Sequence, residues 1–253
     1  MRLTCFPYAG GNAKIFRTLQ SLLRDMDVMA IELPGRGSRM FEPACDSMSS
    51  LTEMLLEEFG ARFDPPFALL GHSMGAAIAF ELTCRLRDCG RSAPDHLFLS
   101  ARTAPGEPRW RAPLHGLDDV AFKDALQRLG GTPSEIIENK ELMGLILPTL
   151  RADFTLIERY NPQPGAMITT SITAFAGQDD KDVPASSMMA WQQLTSGSFQ
   201  CHTLQGGHFF FEAASPDIAR VIEQTLRWRC ATRVNQQSAT DAAALKSRQT
   251  GKA

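Results

Sequence analysis

Two features of the amino-acid order predict an α/β protein with a mostly parallel central sheet flanked by helices. Segments of strand character alternate with segments of helical spacing over residues 2–99, and that alternation implies right-handed crossovers between parallel strands. Residues 67–70 are continuously apolar, as expected of a strand covered on both faces. With 253 residues, 43% of them hydrophobic, the chain can bury one substantial core, and open sheets of this size commonly form one domain.

Residues 2–6 read as a short buried strand ended by Pro7 and the Gly10-Gly11 pair. Ile15, Phe16, Leu19, Leu22 and Leu23 recur at helical spacing within 12–24. A second strand is predicted at 28–33, stopped by Pro34-Gly35, and a helix at 50–63 with Leu51, Met54, Leu55 and Phe59 on one face. The strand at 67–70 leads into a helix at 75–86, with Gly90 placed to end it. After Leu97-Phe98-Leu99 the regularity lapses.

Residues 113–160 look helical throughout. Val120, Leu126 and Leu129 suggest one amphipathic segment, Leu142, Leu145 and Ile146 another, and Leu150, Phe154 and Ile157 a third, with Pro148 separating the last two. A helical block inserted over one end of the sheet reads as a lid, since long insertions are often functional. Strand character returns at 172–176 and 199–204, and a final helix is expected at 216–228. Residues 1–231 thus form a single domain, and the Gln-, Ser-, Thr- and Ala-rich tail at 232–253 is expected to be disordered.

A formal net charge of -2 argues against nucleic-acid binding, which needs a basic excess. No apolar run reaches the roughly 18 residues of a membrane helix, and no secretory pattern opens the chain, so the cytoplasm is the expected compartment. The six cysteines lack the close pairs of a metal site and read as small apolar residues.

Gly71-His72-Ser73-Met74-Gly75 lies between the apolar strand and a helix, the context that gives G-x-S-x-G its meaning as a nucleophile elbow of the α/β-hydrolase fold. The turn lifts the Ser73 hydroxyl above the sheet at a helix N-terminus, where developing negative charge is favoured. A serine hydroxyl needs a base, and the chain offers His72, His96, His115, His202 and His208. His72 adjoins the nucleophile and reads as structural. His96 and His115 come too early in chain order, and His202 falls in a strand. His208 follows Gly206-Gly207 beyond that strand, at the sheet end where sites of open α/β folds lie. It is the candidate base.

The acid that orients the imidazole should follow the strand at 172–176, where Asp179, Asp180 and Asp182 compete. One oxyanion donor should be the Met74 N–H. The other should come from the loop after an early strand, and Phe6-Pro7-Tyr8-Ala9-Gly10-Gly11 fits, with Ala9 preferred to Tyr8.

With those residues in hand, the chain resembles the type II (editing) thioesterases that accompany non-ribosomal peptide and polyketide synthases. The matching stretches are CFPYAGG from Cys5, ELPGRGSR from Glu32, PFALLGHSMGA from Pro66, LRADF from Leu150 and GGHFFF from Gly206. In that family the acid stands three residues after a strand-ending glycine, so Gly177 points to Asp180, with Asp179 in reserve.

The resemblance implies hydrolysis of acyl thioesters on the phosphopantetheine arm of acyl or peptidyl carrier proteins, clearing misprimed or stalled groups. It implies broad substrate selectivity and a mobile lid over the acyl pocket; acyl transfer through Ser73 and His208 needs no metal or redox cofactor. Arg36, Arg39 and Arg102 are candidate surface contacts for an acidic carrier. Phe209-Phe210-Phe211 reads as core before pocket wall. A small-molecule carboxylesterase or lipase on the same fold, or a non-catalytic carrier-binding subunit, would be the alternatives.

Overall fold

The computed structural model describes residues 1–107, 111–163 and 165–227. In chain order its elements are β1 (Arg2–Phe6), α1 (Arg17–Leu22), β2 (Asp27–Ala30), α2 (Met48–Phe59), β3 (Phe67–His72), α3 (Met74–Asp88) and β4 (His96–Ser100). Then come α4 (Asp119–Leu129), α5 (Ser134–Glu138), α6 (Lys140–Arg159), β5 (Ile172–Gly177), α7 (Ala185–Met188) and β6 (Phe199–Leu204). A last helix, α8, covers residues 215–227. The expected tail at 232–253 lies outside the described residues.

The six strands form one sheet in the order β2-β1-β3-β4-β5-β6, and every pairing is parallel. Successive side chains along a strand face opposite ways, so each strand feeds two cores. Leu69, Leu97 and Ala174 join the face covered by Leu51 and Leu55 of α2, Ile78 and Leu82 of α3, and Met188 of α7. Leu3, Leu70, Phe98 and Phe175 join the other face, under Leu19 of α1 and Ile218 and Ile222 of α8. This double covering is why β3 is buried at every position.

Helix ends carry recognisable caps. α2 starts two residues earlier than the apolar spacing predicts, because the Ser47 side chain accepts from the Ser50 N–H. α3 ends as expected at Gly90, whose φ of 68° suits a residue without Cβ. The predicted strand at 28–33 is shorter. Its last ladder contact is Ile31 N–H to Cys5 O at 2.9 Å, after which the chain turns toward α6.

The helical block departs from expectation at Pro148, at Val120, and at Leu142 and Leu145, which are 43% and 62% exposed. Pro148 does not separate two helices; it lies inside the continuous α6. It removes one N–H donor and crowds the carbonyl four residues back, yet packing on both sides holds the helix. Met143, Leu150 and Phe154 share a small core with Phe122 and Leu126 of α4, and Leu156 and Ile157 reach the main core. Val120, assigned to the buried face of α4, is 72% exposed, and Phe122 is buried instead. The block therefore has a core of its own, distinct from the two that clamp the sheet.

Cys5 and Cys84 are buried as expected of small apolar residues, while Cys89 is exposed; all five described cysteines are free thiols. Among the described residues no helix is long and apolar enough to cross a membrane.

Candidate active site

The chain runs from β1 outward to β2, then returns to the other side of β1 with β3. Loops leaving β1 and β3 consequently diverge at their C-terminal ends, the crevice where open α/β sheets bind ligands. Ser73 stands at the tip of β3 with φ 54° and ψ -112°, a strained conformation for a residue with a side chain. The two flanking glycines permit it. A Cβ on Gly71 would collide with the Gly75 backbone, and one on Gly75 with the Phe6 carbonyl of β1. The Ser73 N–H is tied to Ser100 O at 2.7 Å, which sets the turn against β4.

Two long-range hydrogen bonds converge on this serine. His208 Nε2 lies 2.9 Å from Ser73 Oγ, and His208 Nδ1 lies 2.7 Å from Asp180 Oδ2. An ionised carboxylate only accepts, so Nδ1 carries the hydrogen and Nε2 is left to accept from the serine hydroxyl. Asp180 is buried, and its other oxygen accepts from the Asp182 and Val183 N–H groups at 3.0 and 2.9 Å. Its full set of partners keeps the carboxylate oriented.

Of the three aspartates, Asp180 meets the imidazole. Asp179 is exposed and bonds Gly206 O through its backbone. Asp182 is half-buried and lines the cavity above Ser73. That cavity has a volume of about 330 Å³ and is bounded by Ser73, Met74, Ala9 and Tyr8 on the sheet side. Met74 is the first residue of α3, so its N–H has no partner within the helix.

Leu129, Phe154 and Ile157 of the helical block form the opposite wall. The aromatic run divides: Phe210 and Phe211 are core, whereas Phe209 lines the cavity and packs edge-on against His208 and Tyr8.

The other histidines take separate places. His72 is wholly buried, with Nδ1 2.8 Å from Ser100 Oγ and its ring 5.9 Å from that of His208. Burial first, then the His208 charge, push its pKa well below the usual histidine value. His96 contacts Thr173, His115 contacts Glu158, and burial lowers the pKa of His202 in β6.

The buried neutral His72 predicts a pH effect on stability. Below about pH 6.5, the unfolded imidazole binds a proton that the folded one refuses. Stability is thus fully present above that pH and is lost as pH falls through it, by up to about 1.4 kcal/mol per pH unit for one proton. His72→Gln should flatten that loss between pH 7 and 5 in urea titrations. An unchanged slope would show that His72 does not contribute; His202, shifted the same way, supplies the remainder.

All three arginines offered as surface contacts are engaged within the chain. Arg36 is buried and forms a two-pronged ion pair with Asp153, both N···O distances 2.7 Å. Arg39 pairs with Glu42 and Glu58. Arg102 donates from Nη2 to Ile157 O at 3.5 Å and is part of the cavity wall. Residue spacing carried no sign of the Arg36–Asp153 pair, whose members stand 117 positions apart, although both sit in stretches that carry the family resemblance. Trp191 was also missed: it is buried, bounds the cavity and donates from Nε1 to Arg102 O at 2.6 Å.

An elevated, strained serine at a switch-point crevice of a parallel sheet, with a histidine on its hydroxyl, defines the class of protein, a hydrolase of the α/β-hydrolase fold. Residues 1–226 match the thioesterase domain model, and the chain belongs to that family. It is 40% identical over 229 residues to the linear gramicidin dehydrogenase LgrE of Brevibacillus parabrevis, covering 89% of this chain and 87% of that protein.

Among solved structures it resembles the RedJ thioesterase of the prodiginine pathway in Streptomyces coelicolor, with 37% identity and a TM-score of 0.81, covering 88% of this chain and 89% of RedJ. It also resembles YbtT, the type II thioesterase of the yersiniabactin NRPS/PKS pathway, with 32% identity, a TM-score of 0.78 and coverage of 89% and 91%. The dehydrogenase name belongs to LgrE. In the present chain the turn after β1 reads PYAGGN, without the G-x-G-x-x-G spacing used for dinucleotides.

Proposed function

We propose that this chain is an editing thioesterase that hydrolyses acyl groups from the phosphopantetheine arm of carrier proteins in peptide or polyketide synthesis. Ser73 is the nucleophile, His208 the base and acid, and Asp180 the residue that orients and charge-balances the imidazole. Ser73 Oγ attacks the thioester carbonyl while His208 Nε2 takes its proton. The oxyanion is held by the Met74 and Ala9 N–H groups.

The C–S bond then breaks, and the departing sulfur takes the proton from His208. A water attacks the acyl-enzyme, gives its proton to His208, and the collapsing intermediate returns that proton to Ser73 as the free acid leaves. The observation that carries this reading is the unbroken hydrogen-bond chain Ser73–His208–Asp180, at 2.9 and 2.7 Å, whose serine and histidine line the cavity. Similarity to thioesterases of such pathways, RedJ and YbtT among them, supports the choice of substrate.

Residues 113–160 act in this reading as a lid that shapes the acyl pocket through Leu129, Phe154 and Ile157, three apolar side chains on its wall. The corresponding compartment is the cytoplasm.

The test compares acyl-phosphopantetheinyl carrier proteins with p-nitrophenyl esters as substrates of the purified chain. Carrier thioesters should be hydrolysed with the higher kcat/KM. Efficient turnover of aryl esters with carrier thioesters left intact would replace this reading by a small-molecule esterase. A Ser73 that resists a fluorophosphonate probe would replace it by a binding subunit.

A further inference from the structure

Three of the stretches singled out in the sequence meet at one buried point. Arg36 comes from ELPGRGSR, Asp153 from LRADF on α6, and Gly10-Gly11 from CFPYAGG. The Asp153 carboxylate takes three donors, each at 2.7 Å: Nη1 and Nη2 of Arg36 and the backbone N–H of Gly10. Arg36 in turn donates to Gly11 O at 3.2 Å and to Pro34 O at 3.3 Å. The pair is almost fully enclosed, with side-chain exposures of 8% and 2%.

The Gly10 φ of 77° and the contact its Cβ would make with Leu150 show how closely α6 packs on this turn. Neither charged side chain is among the residues that bound the cavity.

We infer that Asp153 and Arg36 are positioning residues for the oxyanion site, acting through the Ala9–Gly11 turn. Asp153 holds the peptide that follows Ala9 by its N–H, and Arg36 holds the turn one residue further by its C=O. Together they pin the backbone on the C-terminal side of Ala9 and so limit where its own N–H can point. An oxyanion donor is effective only when it is already aimed at the position the oxyanion will occupy. A buried bidentate pair supplies such rigidity, because its planar fork admits one geometry. The same contacts tie the turn to α6, so the helical block and the oxyanion site share one anchor. The inference rests on Ala9 being the second oxyanion donor.

The test uses the full chain and a variant in which both charges are removed, Arg36→Met with Asp153→Leu, because removing one alone would strand a buried charge. The turn then loses its clamp while the pocket keeps its lining. In the folded double variant, kcat should fall by about 10- to 100-fold, less than the loss of a whole donor, with KM changed by no more than about threefold. A pantetheine trifluoromethyl ketone probes the tetrahedral geometry directly, and its Ki should rise by the same factor that kcat/KM falls.

Arg36→Lys keeps the charge and loses the fork, and should show a smaller effect of the same pattern. It decides the matter if the double variant does not fold. A kcat within twofold of wild type, or a Ki that stays put while kcat falls, overturns the inference while leaving the proposed function standing. An inert wild-type chain overturns both.

Discussion

Replacing Ser73 by alanine is expected to lower kcat by about six orders of magnitude, the scale seen when a serine hydrolase loses its nucleophile. Ser73 is held above the sheet by a strained backbone with φ 54°, and its hydroxyl is the group facing His208 Nε2 at 2.9 Å. What remains should be the contribution of the oxyanion donors and of binding, roughly 10³- to 10⁴-fold over water. His208→Ala should fall by a comparable amount, because the steps are coupled and losses within such a unit do not add. Single-turnover kinetics on a carrier thioester, with circular dichroism as the control for folding, would measure it. A folded Ser73→Ala protein within tenfold of wild type would move the chemistry to another residue.

Asp180→Asn should come next, with kcat reduced by about 10⁴-fold, as expected when the imidazole is held in the wrong tautomer. The geometry explains the severity. Asp180 accepts on both oxygens, from His208 Nδ1–H on one side and from two backbone N–H groups on the other. An asparagine has one accepting oxygen. If it serves the backbone donors, the amide NH₂ faces Nδ1, forces the hydrogen onto Nε2, and presents a donor to the Ser73 hydroxyl. If the amide turns round, it places NH₂ against the two backbone N–H groups and strains the loop. Asp179→Asn should leave kcat near wild type, since that side chain is exposed. Loss of turnover in Asp179→Asn with retention in Asp180→Asn would reverse the assignment. Measuring kcat for both variants across pH 6–9 decides it.

Much of the fold was legible because the local signals agreed. The alternation of strand character with helical spacing specifies parallel strands, and β1, β3 and β6 begin at the residues where strands are expected. Signals that depend on a distant partner misled. Pro148 read as a break because its cost is local, whereas the contacts that hold α6 together around it come from α4 and the main core. Val120 read as buried because it is apolar, yet it stands two residues from Phe122, about 200° round the helix; Phe122, four residues before Leu126, shares its buried face. Arg36 read as surface because an isolated arginine usually is, and its partner is 117 residues away.

Chain order and turn chemistry alone specified the elbow at Ser73, the loop at Ala9 and the histidine beyond the last strand, since each depends on a few adjacent residues and their backbone freedom. They left three aspartates competing, and they were silent about Asp153. Both matters turn on hydrogen bonds between segments that meet only after the sheet has assembled. A carboxylate's partners are set by which loops the strand order brings side by side, and spacing along the chain does not record that.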